Sequence, residues 1–152
     1  MSIVIWLDQN VDNDINTIYA KDLRALNSIE SLRTYKNIDE AMTDLKEIRF
    51  DETIIIVSGR LYSELVGKFK ENLLGLYTIP KIIVFTSSRA DFLEFNKDYE
   101  NESNNFYNFG GIATSFTQIE DFFISKNKEL ISLSLFYPNM KILQIQSFLI
   151  QK

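Results

Sequence analysis

The sequence predicts an α/β protein in which helices cover both faces of a parallel sheet. Three short runs, Ile3–Leu7, Thr53–Val57 and Lys81–Phe85, are almost wholly aliphatic or aromatic, as expected of strands buried on both faces. Between them lie segments whose apolar residues recur at helical spacing. Strands and helices therefore alternate along the chain, and this alternation is typical of parallel sheets.

Each predicted strand is followed by a helical segment. The predicted order is strand 3–7, helix 14–26, strand 32–35, helix 38–48, strand 53–57, helix 61–74, strand 81–85, a short helix at 92–95, strand 111–114 and helix 116–124. In the first helix, Ile15, Ile18, Tyr19, Leu23 and Leu26 are predicted to share the buried face. Asn37, with Glu40 three residues on, is predicted to cap the second helix, and Thr117 the last.

Five such units in about 125 residues have the size of a flavodoxin-like three-layer sandwich, with predicted strand order 2-1-3-4-5. We therefore assign residues 1–125 to one α/β domain. Residues 126–152 show two further helical patterns, at 127–136 and 139–150. This extension is either a helical addition packed on the domain or a linker toward a partner or another domain, and the sequence leaves both open.

Composition excludes several classes of function. Among the 152 residues there is no cysteine and no histidine, which excludes disulfides, thiolate metal sites and Ser-His or Cys-His catalysis. The net charge of -5 disfavours binding to nucleic acid. No uninterrupted apolar run reaches membrane-spanning length, so we expect a cytoplasmic protein that does not bind membranes.

The tripeptide Ser58-Gly59-Arg60 follows the predicted third strand. In open α/β sheets, ligands bind beyond the carboxyl ends of the central strands. One interpretation is an anion pocket made by the Ser58 hydroxyl, backbone N–H groups and Arg60. In the other, Ser58 caps the next helix, Gly59 makes the turn, and Arg60 pairs with an acid that follows the first strand.

Those acids are Asp8, Asp12 and Asp14. Three carboxylates in seven residues could clasp a divalent cation, but Asp12 and Asp14 also lie where helix starts favour acids. We predict neither a metal site nor a cofactor.

At its strand ends the chain resembles the receiver domain of two-component response regulators, over roughly residues 1–125. Asp8 falls on that family's Mg²⁺-binding acidic cluster, although its neighbour is Gln9, and Thr86 falls on the family's switch hydroxyl. Ser58 stands where the family has its phosphoacceptor aspartate. The family's Lys-Pro pair is absent after the fifth strand, which is followed by Thr114-Ser115-Phe116. The resemblance implies a degenerate pseudo-receiver that does not undergo aspartyl phosphorylation.

Aromatic residues surround the predicted fourth helix and the polar loop after it. In receivers, the fourth helix, fifth strand and fifth helix form the partner-binding face, so the resemblance implies an interface here. Its residues would be Phe95, Tyr99, Phe106 and Tyr107. Alternatively, Phe92, Phe95 and Phe109 belong to the core and the tyrosines cover it.

Two functions from different classes follow. The first is a non-catalytic pseudo-receiver that mediates protein–protein interaction within a larger signalling or regulatory protein, its partner being another protein, a neighbouring domain or a second copy in a homodimer. The second is a domain that binds a small anion or a nucleotide, with enzymatic activity left open, through Asp8, Ser58, Gly59, Arg60 and Thr86. On the first hypothesis the protein is not an enzyme.

Overall fold

The computed structural model describes residues 2–48, 52–71, 79–96 and 108–125, and within them strands and helices alternate as predicted. The elements are β1 Ser2–Leu7, α1 Asp14–Arg24, β2 Ile29–Tyr35, α2 Ile38–Leu45, β3 Glu52–Ser58, α3 Tyr62–Glu71, β4 Lys81–Phe85, α4 Arg89–Phe95, β5 Asn108–Ala113 and α5 Phe116–Ile124. The predicted extension at 126–152 lies outside the described residues. No helix in the described ranges has the length and apolar character needed to cross a bilayer.

The five strands form one parallel sheet in the order β2-β1-β3-β4-β5, which confirms the predicted flavodoxin-like architecture. Leu7 of β1 pairs with Val57 of β3, and Ser58 pairs with Phe85 of β4. The carboxyl ends of these three central strands therefore lie side by side. The residues that follow them meet at the carboxyl end of the sheet.

Two apolar layers hold the sheet between its helices. Ile55 and Val57 of β3 pack toward α2, α3 and α4, while Ile54 and Ile56 pack toward α1 and α5. Because both faces of β3 are covered, its sequence is a continuous apolar run without alternation. Trp6 of β1, which is only 1% exposed, lies in the second layer as a core residue.

The first helix is rotated relative to its predicted buried face. Leu23 is fully buried and Tyr19 and Leu26 are partly buried, but Ile15 and Ile18 are 60% and 58% exposed. The prediction was therefore wrong for these two isoleucines. At about 100° per residue, Ile18 lies about 140° around the helix from Leu23, so the two cannot both face the sheet.

Side-chain caps mark the starts of α1, α2 and α4. The Asn37 side chain accepts a hydrogen bond from the Glu40 amide at 3.0 Å, as predicted for α2. For α5 the predicted cap is wrong, because Ser115 and not Thr117 stands at the N-cap position. The Gln118 side chain reaches back from the first turn to accept from the Thr114 amide at 2.7 Å.

One carboxylate joins the edge strand β2 to α2. Asp44 accepts hydrogen bonds from the Arg33 guanidinium and from the Tyr35 hydroxyl, and its own side chain is only 13% exposed. Burial and the hydrogen bond to Asp44 raise the pKa of Tyr35 to about 12. The neutral phenol is therefore the form that stabilises the fold.

The opposite edge strand, β5, has an irregular register. The pairing of β4 with β5 shifts between Ile82 and Ile83, and Gly111 has a φ of 125°. A Cβ on Gly110 would lie 3.0 Å from the carbonyl oxygen of Ile82 and 2.9 Å from the Lys81 side chain. Only glycines allow β5 to approach and bend against β4 in this way.

Candidate functional site

A cavity of about 760 Å³ opens at the carboxyl ends of β1, β3 and β4. Three loops form most of its wall, namely residues 8–10, 58–60 and 85–88. The remaining wall comes from Ser63 of α3, from Asp91 and Phe92 of α4, and from Asn96, which follows α4 directly. All five predicted ligand-binding residues line this cavity: Asp8, Ser58, Gly59, Arg60 and Thr86.

The hydroxyl of Ser58 has no hydrogen-bond partner in the described part of the chain, although the oxygen itself is buried. The turn after β3 is closed instead by the Ser58 carbonyl, which accepts from the Leu61 amide at 3.1 Å. The interpretation in which Ser58 caps α3 was wrong. The helix begins at Tyr62, so the N-cap position is taken by Leu61 and not by Ser58. Burial of a hydroxyl without a hydrogen-bond partner is unfavourable, and a bound group that pairs with it would remove this penalty.

Arg60 is exposed, and it forms no ion pair within 4.0 Å with any acid of the described ranges. Asp12 is paired with Lys36 at 2.6 Å, and this contact lowers the pKa of Asp12. Asp8 directs one carboxylate oxygen to the Asn10 amide at 2.8 Å. The interpretation in which an acid closes the site by pairing with Arg60 therefore does not describe this geometry.

Gly59 brings the loop after β3 against the loop after β4. A Cβ at this position would lie 3.1 Å from the Thr86 hydroxyl oxygen and 3.3 Å from the Thr86 Cβ. The Thr86 amide donates to the Ala113 carbonyl at 3.0 Å, which fixes the start of its loop to β5. The Thr86 hydroxyl itself has only long contacts, 3.4 Å to both the amide and the carbonyl of Ser88. It is thus weakly held, and Thr86 lines the cavity.

Nine further described residues line the wall without having been predicted as ligand-binding residues, among them Ser63, Ser88, Asp91 and Asn96. Ser88 caps α4, since its hydroxyl accepts from the Asp91 amide at 3.2 Å. The Ser63 hydroxyl donates to the Asn96 side chain at 2.6 Å and so ties α3 to the end of α4. A serine followed three residues later by an acid is a helix-start pattern, and this spacing was the available signal for Ser88 and Asp91.

The acids near the cavity do not assemble a metal centre in the part of the chain that is described. No group of three or more residues with metal-binding side chains occurs there. The alternative in which Asp8, Asp12 and Asp14 clasp a cation thus has no geometric support, since Asp12 is engaged by Lys36.

The predicted aromatic interface falls largely outside the described residues. Tyr99, Phe106 and Tyr107 lie in the range 97–107, and only the backbone of Phe95, at the end of α4, is described. Phe92 belongs to the core, because it is 3% exposed and packs edge-to-face on Tyr62 with 5.1 Å between ring centres.

Comparisons of this chain with protein-family models, with curated proteins and with solved structures returned no match. The resemblance to receiver domains accordingly stays a prediction from the sequence. The site has to be interpreted from its own chemistry.

Proposed function

We propose that this domain binds a small ligand bearing an anionic group in the cavity above β1, β3 and β4. The observation that carries the proposal is the Ser58 hydroxyl, which is buried in the cavity wall without a hydrogen-bond partner among the described residues. A buried hydroxyl with no partner costs about 1–3 kcal/mol, and a ligand oxygen that displaced the atoms covering Ser58 Oγ would remove that cost.

Charge supports an anion at this end of the cavity. The Arg60 guanidinium lies in the same loop as Ser58 and is not neutralised by an acid of the described ranges. Guanidinium groups bind carboxylates and phosphates through paired, charge-assisted hydrogen bonds. The Thr86 hydroxyl, which has only 3.4 Å contacts, is a further donor next to Gly59.

The proposed function is binding without a catalytic step. Serine and threonine hydroxyls are poor nucleophiles without an adjacent base, and the chain contains no histidine to provide one.

The test is the thermal stability of the full chain in increasing concentrations of inorganic phosphate, at constant ionic strength. Bound ligand raises the melting temperature by mass action, so we expect a rise that saturates with concentration. Arg60→Gln should abolish the rise. Lys21→Gln, on the exposed side of α1, removes an equal charge away from the cavity and should leave the rise unchanged. A rise that survives in Arg60→Gln would contradict the proposal.

A second candidate is the phosphorylation-independent protein-interaction domain of receiver type. One observation favours an interaction surface, on α1 rather than on the face that the resemblance implies: Ile15 and Ile18, one turn apart, expose more than half of their surface. Exposed apolar patches mark interaction surfaces. Sedimentation of the wild type and of Ile18→Gln over a range of concentrations tests the homodimeric form of this candidate. Self-association weakened by the substitution supports it, and a monomer at every concentration counts against it.

A further inference from the structure

The wall of the cavity is polar around almost its whole perimeter. Of the fourteen described residues in the wall, only Phe85 and Phe92 have apolar side chains. Phe92 is buried against Tyr62, and Phe85 packs at 6.3 Å from Trp6 and 6.4 Å from Tyr19. Phe92 is therefore a core residue and Phe85 is partly buried against the core, so these rings offer little aromatic surface on which a flat nucleobase could stack.

Away from Arg60 the wall presents unpaired hydrogen-bond acceptors. One oxygen of Asp8 accepts from the Asn10 amide, which leaves its second oxygen without a partner in the described ranges. The carboxylate of Asp91, exposed at the first turn of α4, likewise has no hydrogen bond or ion pair there. Carboxylates in such positions accept hydrogen bonds from the hydroxyls of sugars, as the acidic residue of dinucleotide sites does from ribose.

The balance of charge limits how many phosphates the ligand can carry. Among its described residues the wall contains one cation, Arg60, and two carboxylates, Asp8 and Asp91. A diphosphate or triphosphate would place several negative charges against these two acids with a single guanidinium to compensate. A monophosphate ester with an uncharged, hydroxyl-rich body fits this wall better, and about 760 Å³ is ample for such a molecule.

We propose that the cavity binds a sugar phosphate, with the phosphate held by Arg60, Ser58 and Thr86 and the sugar hydroxyls held by Asp8 and Asp91. This inference rests on the proposed anion-binding function and specifies its ligand class.

The test is isothermal titration calorimetry of the full chain with five probes: glucose 6-phosphate, ribose 5-phosphate, glucose, inorganic phosphate and AMP. At least one sugar phosphate should bind about tenfold more tightly than phosphate or AMP, because a hydrogen bond from a sugar hydroxyl to a carboxylate is worth about a factor of ten in affinity. Asp91→Asn should weaken the sugar phosphate about tenfold and leave phosphate unchanged. Arg60→Gln should weaken both. Asp22→Asn, on the exposed side of α1, is the matched control and should change neither.

The other outcomes separate the two proposals. Equal binding of phosphate and sugar phosphates, with no effect of Asp91→Asn, would overturn the sugar phosphate and leave anion binding standing. AMP as the tightest probe would overturn it in favour of a nucleotide. If glucose bound as tightly as glucose 6-phosphate, or if no probe bound at all, both proposals would be overturned.

Discussion

Replacing Ser58 by alanine should stabilise the unliganded protein. The Ser58 oxygen is buried and has no partner in the described part of the chain, so its removal leaves no broken hydrogen bond. An unpaired buried hydroxyl costs about 1–3 kcal/mol. We expect the lower end of this range, about 1 kcal/mol, because the residue as a whole is only half-buried. For a chain of this length, such a gain raises the melting temperature by about 2–4 °C.

Ser88 provides the matched control in the wall of the same cavity. Its hydroxyl caps α4 through the Asp91 amide at 3.2 Å. Loss of a serine cap costs about 0.5–2 kcal/mol, so Ser88→Ala should be destabilised by about 1 kcal/mol. The two serine-to-alanine variants should therefore differ by about 2 kcal/mol in their free energies of unfolding, with opposite signs relative to the wild type.

Urea unfolding followed by tryptophan fluorescence measures both variants. Trp6 is the single tryptophan of the chain and is 1% exposed, so its emission reports unfolding of the core directly. The slope of the transition should be unchanged, because neither variant alters the surface that unfolding exposes. A loss of about 1 kcal/mol or more in Ser58→Ala would refute the reasoning, since it would show that the hydroxyl makes a stabilising bond in the free protein.

Three further predictions concern the contact of β2 with α2 and the turn at Gly59. Asp44→Asn should lower the free energy of unfolding by about 1–3 kcal/mol in urea, since Arg33 and Tyr35 both donate to this carboxylate; an unchanged midpoint would contradict this. Tyr35 has a pKa raised from 10.0 to about 12 in the folded state, so its contribution to stability is complete below pH 10 and is lost as the pH rises through 12. The melting-temperature difference between wild type and Tyr35→Phe should accordingly shrink over that interval, and a constant difference would count against it. Gly59→Val should destabilise by about 1–3 kcal/mol, since even a Cβ would lie 3.1 Å from Thr86; unchanged unfolding in urea would show that the loops can separate.

The order of elements was predictable because the central strands are buried on both faces. Such strands appear in the sequence as continuous apolar runs, and the described sheet places Lys81–Phe85 where the run predicts it. The edge strand β2 was predicted too short, at 32–35, because Glu30 and Ser31 near its start are polar. An edge strand is partly exposed, and its polar residues conceal the pattern.

The five candidate ligand residues could be predicted because the topology brings strand ends together, whatever the details of the loops. Whether each of these side chains forms a hydrogen bond could not be predicted. The Ser58 hydroxyl has no partner because α3 begins only at Tyr62, four positions after Ser58 and too far along the chain for Ser58 to cap it. The contribution of Asn96 depends on how α4 packs against α3, which local sequence does not specify.

The glycines of β5 also bear on solubility. A straight edge strand offers a row of free amides and carbonyls on which a strand from another chain can pair, and this pairing starts many aggregates. The shifted register at Ile82–Ile83 and the positive φ of Gly111 bend β5 at this edge of the described sheet. A bent strand is a poor template for a straight one. The same two glycines that let β5 approach β4 therefore also hinder edge-to-edge association of separate molecules.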